Sequence, residues 1–252
     1  MELNIDAGER EKNCELDLQL LECADALNIA LGGHAGNATW SQQLAKQAND
    51  AGCVVHLHPG YPDRENFGRI ERAMDWAELS ESLSQQREVL PEVTICKFHG
   101  ALYNQAVVQQ ELAARLVEWS VQQGIETLLT PDQSALFHQA VNAGLRLKRE
   151  GFADRQYTQK DGQLQLVSRK QQGSLITQYE KLQQQVEQLM SHQQVRTIEG
   201  DEVPLVCETL CLHGDHPEAI SNARKLKTWI QQYVPQQYTP QRYIAEQGAG
   251  DD

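Results

Sequence analysis

The chain has 252 residues, 40 % hydrophobic and 23 % charged, a composition that supports a buried core in one large domain or two small ones. Its 35 acidic and 22 basic residues leave a formal charge of −13, which argues against the broad basic surface that nucleic acid or an anionic membrane would require. No apolar run approaches the roughly 18 residues of a membrane span, and the polar, strand-like segment right after Met1 does not read as a signal peptide, so a cytoplasmic protein is expected.

Strand and helix patterns alternate along the chain. The first strand, Leu3–Asp6, ends in a carboxylate and is followed by Gly8-Glu9. The second, Ala26–Ala30, runs into Gly32-Gly33-His34-Ala35-Gly36. A helix over Ser41–Ala51 places Leu44, Ala45 and Ala48 on one face and stops at Gly52. The third strand, Cys53–His58, ends His56-Leu57-His58-Pro59-Gly60, and a helix over Trp76–Val89 follows. The fourth, Thr94–His99, finishes in Lys97 and His99 before Gly100. A helix after Asn104 carries Leu112, Leu116 and Trp119 and ends at Gly124. Thr127–Thr130 and Leu145–Glu150 read as strands five and six, around a helix over Ser134–Ala143.

The segment Phe152–Thr177 breaks the alternation and reads as an insertion with a small hairpin turning at Asp161-Gly162. A Gln-rich amphipathic helix is expected over Thr177–His192, then a hairpin-like turn within Ile198–Val206. The seventh strand, Leu210–His213, leads into Gly214-Asp215. The last helix starts at Pro217, a residue suited to a first helical turn, and buries Ile220, Ala223, Leu226 and Ile230. Residues 243–252 read as a flexible C-terminal tail, which leaves 1–242 as a single barrel domain.

Seven strands alternating with helices predict an α/β fold with a parallel sheet, closed or nearly closed into a barrel; an open doubly wound sheet is the alternative. No GxGxxG or GxxxxGK[ST] motif follows a strand, so nothing points to a Rossmann or P-loop nucleotide site. Asp6, Glu9, His34, His58, Lys97, His99, His213 and Asp215 all fall at or just after strand carboxyl ends, which in such a barrel share the rim that carries chemistry. Of the two histidines on the third strand, His58 adjoins the Pro-Gly turn and is expected to face the interior, with His56 turned away. His138, His192 and His216 lack such neighbours and are expected on the surface, whereas Trp40 could line a pocket. None of the six cysteines forms a CxxC pair. Reduced thiols are expected, with Cys96 and Cys211 as small core residues. Histidines among carboxylates suit a divalent metal that activates water, on His34, His58 and His213. The same set suits metal-free acid–base catalysis with Lys97 stabilising an oxyanion.

In order along the chain, Asn4-x-Asp6-x-Gly8-Glu9, "NIALGGHAG" (Asn28–Gly36), "HPGYPDRENFGR" (His58–Arg69), "KFHGALYN" (Lys97–Asn104), "FADRQY" (Phe152–Tyr157) and "HGD" (His213–Asp215) resemble the motifs of the LamB/YcsF family, the A component of prokaryotic 5-oxoprolinase. The likeness runs from Leu3 to about Tyr233. Departures are Asn37 for a usual Asp, Gly33 for Phe, Phe98 for Pro and His216 for Thr, and the segment between Gly8 and Cys23 is atypical.

The resemblance implies a distorted TIM-like (β/α)7 barrel related to the glycoside hydrolase and polysaccharide-deacetylase group. It implies ring opening of 5-oxo-L-proline to L-glutamate driven by ATP, with partner subunits B and C. Asp6 or Glu9 would then be the base, with Lys97 and His99 also catalytic. Asn4, His34, His58, Arg69, Tyr103, Asp154, Arg155, His213 and Asp215 would bind substrate, Lys97 and Arg69 meeting its carboxylate or phosphate and Asp215 orienting a histidine. The alternatives are a stand-alone metal-dependent amidase or deacetylase and a non-catalytic lactam-binding subunit.

Overall fold

The structure is a computed structural model that describes residues 1–10 and 14–233. The elements in chain order are β1 (Glu2–Ala7), α1 (Cys14–Leu21), β2 (Ala26–Ala30), α2 (Ala38–Asp50), β3 (Val54–His58), α3 (Trp76–Arg87), β4 (Ile95–Cys96), α4 (Gly100–Val108), α5 (Gln110–Gln122), β5 (Thr127–Thr130), α6 (Ala135–Asn142), β6 (Arg146–Phe152), β7 (Tyr157–Lys160), β8 (Gln163–Leu166), α7 (Tyr179–His192), β9 (Gln194–Arg196), β10 (Glu202–Pro204), β11 (Thr209–Leu212) and α8 (Ala219–Tyr233). Seven strands close into a parallel barrel in the order β1-β11-β6-β5-β4-β3-β2. The chain therefore adopts the expected TIM-like (β/α) architecture, and each barrel strand overlaps an expected one.

Strand alternation explains the layers. On β1, Leu3 and Ile5 are buried with Leu20, Leu27, Ile29, Leu44 and Leu57 in the apolar core. Asn4 and Asp6, one residue out of phase, lie on the other face, toward the barrel axis. Register carries this polar face around the barrel: Asp6 pairs with Asn28, and Asn28 with His56. A barrel interior is usually filled by branched aliphatics; here its upper layers are polar.

Three departures from the expected elements have physical causes. α1 is absent from the expected elements, because Leu16, Leu18 and Leu20 alternate and obscure a helical period in so short a helix. Only Ile95–Cys96 of the fourth strand is a regular ladder, but Lys97 N and His99 N still donate to Leu57 O and Pro59 O at 2.9 and 2.8 Å, so the extended run continues along β3. The single helix expected after Asn104 is two, α4 and α5, broken at Gln109, whose backbone is extended (φ −97, ψ 107). The Asp161-Gly162 turn joins β7 and β8 as an antiparallel hairpin. Both turn residues have positive φ, 52 and 76, as a tight hairpin requires. β9 and β10 form a second antiparallel pair. The tail expected over 243–252 lies outside the described residues, and no helix among the described residues is long and apolar enough to cross a membrane.

Candidate active site

Lys97, on the backbone leaving β4, sends its ammonium across the barrel. Its Nζ lies 3.1 Å from Asp6 Oδ1 and 3.0 Å from Glu150 Oε1, with all three side chains almost fully buried. Nζ also donates to Cys211 Sγ at 2.8 Å and sits 5.3 Å from the centre of the Phe152 ring. Burial alone would push the Lys97 amine down, but Asp6, Cys211 and Glu150 outweigh it and hold it well above its ordinary value. Burial pushes the Asp6 carboxyl up, yet Lys97, His58 and His213 hold it well below the usual range. Both groups are therefore charged at neutral pH. Asn28 Nδ2 donates to Asp6 Oδ1 at 2.7 Å and to Asn4 Oδ1 at 2.6 Å, and Asn4 Nδ2 donates to Thr209 at 2.8 Å. Asp6 Oδ2 remains turned toward His58 Nε2 (3.5 Å) and His213 Nε2 (3.8 Å).

Beside this ionic centre stand three histidines and a carboxyl. His58 Nδ1 donates to Lys97 O at 2.8 Å and His99 Nε2 to Phe67 O at 2.9 Å. His99 Nδ1 is 2.9 Å from His58 Nε2. The rings of His34 and His99 stack at 3.6 Å, 1° from parallel. Glu9 Oε1 lies 3.4 Å from His34 Nε2 and 3.5 Å from His99 Nδ1. Burial, then Asp6 and Asp215, pushes the Glu9 carboxyl well up, while burial holds the His34 and His99 imidazoles well down. Gly100 lets the Phe67–Arg69 loop come this close. A Cβ there would stand 2.6 Å from Gly68 O, at a positive φ of 57.

A third set lines the rim. His213 donates twice to Asp154, from its backbone N at 3.0 Å and from Nδ1 at 2.9 Å. Asp215 accepts from Arg69 and, at 2.9 Å, from Arg169. Burial raises the Asp215 carboxyl, but Arg169, His213 and Arg69 bring it down to about 2. Tyr103 OH donates to Glu150 Oε2 at 2.8 Å, and burial with Glu150 keeps that phenol protonated. The buried Arg155 donates one N–H to Val167 O at 2.6 Å. Burial and Arg169 pull its guanidinium down to about 10, still charged at neutral pH. A cavity of about 760 Å³ opens over these groups, lined among others by Asp6, His58, Lys97, His99, Arg155 and His213.

The expected residues thus gather at one end of the barrel, with several roles reassigned. His56 does not turn away. Two residues apart on a strand share a face, so His56 is buried beside His58, its Nδ1 donating to Asn28 Oδ1 at 2.8 Å. His213 does not join His34 and His58 as a metal ligand: it falls with Asp6 and Cys211, while His34 and His58 cluster with Glu9 and His99. Asp154 holds a histidine, whereas Asp215 braces Arg69 and Arg169. Lys97 is engaged by two carboxyl groups and is not a free anion binder, and Arg69 is shared with Asp215. His216 is not on the surface: both ring nitrogens are buried, with Glu218 3.6 Å from Nδ1. Trp40 does not line the cavity over these groups. It packs in the core with Nε1 donating to Asp17 at 2.8 Å.

Sequence reasoning passes over Glu150, Asn28 and Cys211. Glu150 ends an expected strand as Asp6 does, and Asn4 and Asn28 interrupt apolar strands at every second place, so both carry a signal. Cys211, inside an apolar run, carries none.

The sequence matches the LamB/YcsF family model over residues 1–242. The chain belongs to the LamB/YcsF family. Its structure is similar to the crystal structure of a lactam utilization protein from Thermus thermophilus, with a TM-score of 0.77 and 28 % identity over 92 % of this chain and 96 % of that one.

Of the departures from the LamB/YcsF pattern, Asn37 follows the His34-Ala35-Gly36 turn and serves as a helix cap. It is exposed and caps α2, its side chain accepting from Trp40 N at 3.0 Å, a role Asn and Asp fill equally well. Phe98 is buried in the core against Trp119 at 6.0 Å, and its backbone extends from β4 toward α4. At Gly33 an added Cβ would stand 2.3 Å from Gln86 Oε1.

Proposed function

We propose that this chain is the subunit of a cytoplasmic, ATP-dependent 5-oxoprolinase that holds the lactam of 5-oxo-L-proline and opens it to L-glutamate, together with partner subunits B and C. The observation that carries the reading is the joint one: family membership over 1–242, and a cavity whose wall brings ionised Asp6, Lys97, Arg155 and three histidines together. The lactam is an unstrained amide and a poor electrophile. Phosphoryl transfer from ATP to its oxygen activates the ring carbon. The chain has no P-loop, so nucleotide handling is assigned to the partners or shared with them.

Within this reading the roles follow from which atoms are free. Asp6 Oδ1 is taken by Lys97 and Asn28, whereas Oδ2 faces the cavity beside His58 and His213; it is placed to take a proton from water attacking the ring carbon. Glu9 is less suited as the base, because it does not line the cavity. Lys97 keeps Asp6 ionised and oriented. Arg155 has a fork of N–H donors, one of which goes to Val167 O, and it lines the cavity, so it meets the substrate carboxylate or the transferred phosphate. His213, fixed by Asp154 with Nδ1 donating, has Nε2 3.8 Å from Asp6 Oδ2; the proton that Asp6 takes from water passes through Nε2 to the departing ring nitrogen, and hydrolysis of the resulting acyl phosphate releases inorganic phosphate and L-glutamate.

The test is glutamate release from 5-oxoproline by the purified chain, with and without ATP and with and without the two partners. Release requiring both ATP and partners is expected. Release by the chain alone without ATP would replace this reading with the stand-alone amidase, the alternative that the histidine–carboxyl cluster favours. Lactam binding by the chain, with turnover unaffected by Asp6→Asn in the assembled complex, would reduce it to a binding subunit.

A further inference from the structure

Glu9, His34, His58 and His99 each offer one donor atom, all within 4.8 Å of one another. The backbone fixes two tautomers. A carbonyl only accepts, so His58 Nδ1 and His99 Nε2, which face Lys97 O and Phe67 O, both carry hydrogen. With those nitrogens committed, His58 Nε2 and His99 Nδ1 face each other at 2.9 Å, a pair that a proton or a cation between them must satisfy. Among the described residues, both nitrogens of His34 and Oε1 of Glu9 are buried with no hydrogen-bond partner. His34 is 1 % exposed, and unpartnered polar atoms at that depth are costly.

We propose that Glu9 Oε1, His58 Nε2 and His99 Nδ1, completed by His34 Nε2, bind one divalent transition-metal ion. The separations of 2.9, 3.4 and 3.5 Å match donors held about 2.0–2.2 Å from a common ion, which stand roughly 2.9–3.5 Å apart. Three imidazoles and one carboxylate suit zinc, cobalt, nickel or iron, not magnesium or calcium. The Lys97 and Phe67 carbonyls supply the outer contacts that orient metal-binding histidines. His34 and His99 are parallel, so an ion in the plane of the His99 ring lies off the plane of His34. His34 joins by tilting, and no hydrogen bond restrains it.

Two rival arrangements are weaker on the same observations. Asp6, Cys211 and His213 also cluster, but the Lys97 ammonium, 3.1 Å from Asp6 and 2.8 Å from Cys211, already supplies the cation there. A proton shared between His58 and His99 would satisfy those two nitrogens and leave His34 and Glu9 Oε1 unpartnered.

What the ion does in catalysis rests on the lactam reading; its binding does not. The test uses the full chain stripped with a chelator and titrated with Co²⁺ by absorption and with Zn²⁺ by calorimetry. One equivalent of each is expected, with visible cobalt bands and a raised melting temperature. His58→Asn and His99→Asn should weaken binding about 100-fold or more, and His34→Asn by about 10-fold. His138→Asn, on the surface, should bind as wild type. Circular dichroism of the metal-free variants checks that each is folded. No saturable uptake by the wild-type chain, or wild-type affinity in a folded His58→Asn or His99→Asn protein, would overturn the site. So would a low-field shared-proton resonance that persists at saturating metal. One bound equivalent with no glutamate release in the assembled complex would keep the site and remove the lactam reading.

Discussion

Lys97 Nζ and Asp6 Oδ1 meet at 3.1 Å across the barrel, from strand ends 91 residues apart in the chain. The pair stays charged because each partner offsets the other's burial, and Glu150 shares the same ammonium. An ionic centre of this kind sets geometry more than it adds net stability. Removing one member nonetheless strands the others without a counter-charge.

Lys97→Met therefore affects folding as well as turnover. The loss expected for breaking a buried pair is about 3–5 kcal/mol, measurable by urea unfolding, along with abolished glutamate release. Adding Glu150→Gln removes one stranded charge, so the double variant should be more stable than the sum of the two single losses predicts, by at least about 1 kcal/mol. Strict additivity would show that the two side chains do not share a charge network.

Much of this centre is legible because barrel strands repeat one device, apolar residues outward and a titratable residue at the carboxyl end. Asp6, His58, Lys97, His99 and His213 stand out that way. The partners are harder to read. Which carboxyl holds His213 depends on β6 lying beside β11, a pairing of residues 150–152 with 209–211 that no local pattern encodes. Asp215, adjacent in sequence, is the natural expectation, but Arg69 and Arg169 reach it first. Cys211 looks like core packing because its thiol is within reach of Lys97 only after the barrel closes.

Asp215 gives a pH-dependent stability difference. Its carboxyl is at about 2 in the folded chain against an ordinary 3.8. A depressed carboxylate stabilises the fold fully above the ordinary value and loses that contribution as pH falls through the folded one. Two units at about 1.4 kcal/mol each, reduced for its partial exposure, leave roughly 1–2 kcal/mol. Asp215→Asn should cost that much at pH 7, and the gap from wild type should close between pH 4 and 2. A gap that persists unchanged at pH 2 would mean that the arginines contribute through packing.

Asp154→Asn keeps the shape of the side chain but offers one acceptor where His213 presents two donors, its backbone N–H and Nδ1–H. The amide's own N–H must then face one of them, and the imidazole is driven toward its other tautomer. Glutamate release should fall about 10- to 100-fold, the usual effect of losing a histidine's orienting partner, with little change in the affinity for 5-oxoproline. A fall in affinity with normal turnover would move His213 from proton transfer to substrate binding.

Gly33 and Gln86 form a lock on the turn that carries His58 into the site. Gln86 Oε1 accepts from Gly60 N at 3.0 Å and Gln86 Nε2 donates to Gly60 O at 2.9 Å, so one amide pins both polar groups of the Pro59-Gly60 turn. The carboxamide fills the space where a side chain at 33 would begin, 2.3 Å from an added Cβ. Gly33→Ala should then cost about 1–3 kcal/mol by overpacking and lower activity by shifting His58. Gln86→Ala should cost a similar amount by leaving the Gly60 groups unpaired. In the double variant the steric conflict is gone, so the combined loss should be close to that of Gln86→Ala alone. Thermal unfolding of the four proteins decides it. Fully additive losses would show that Gln86 yields to the methyl without releasing Gly60, and that the turn does not depend on this amide.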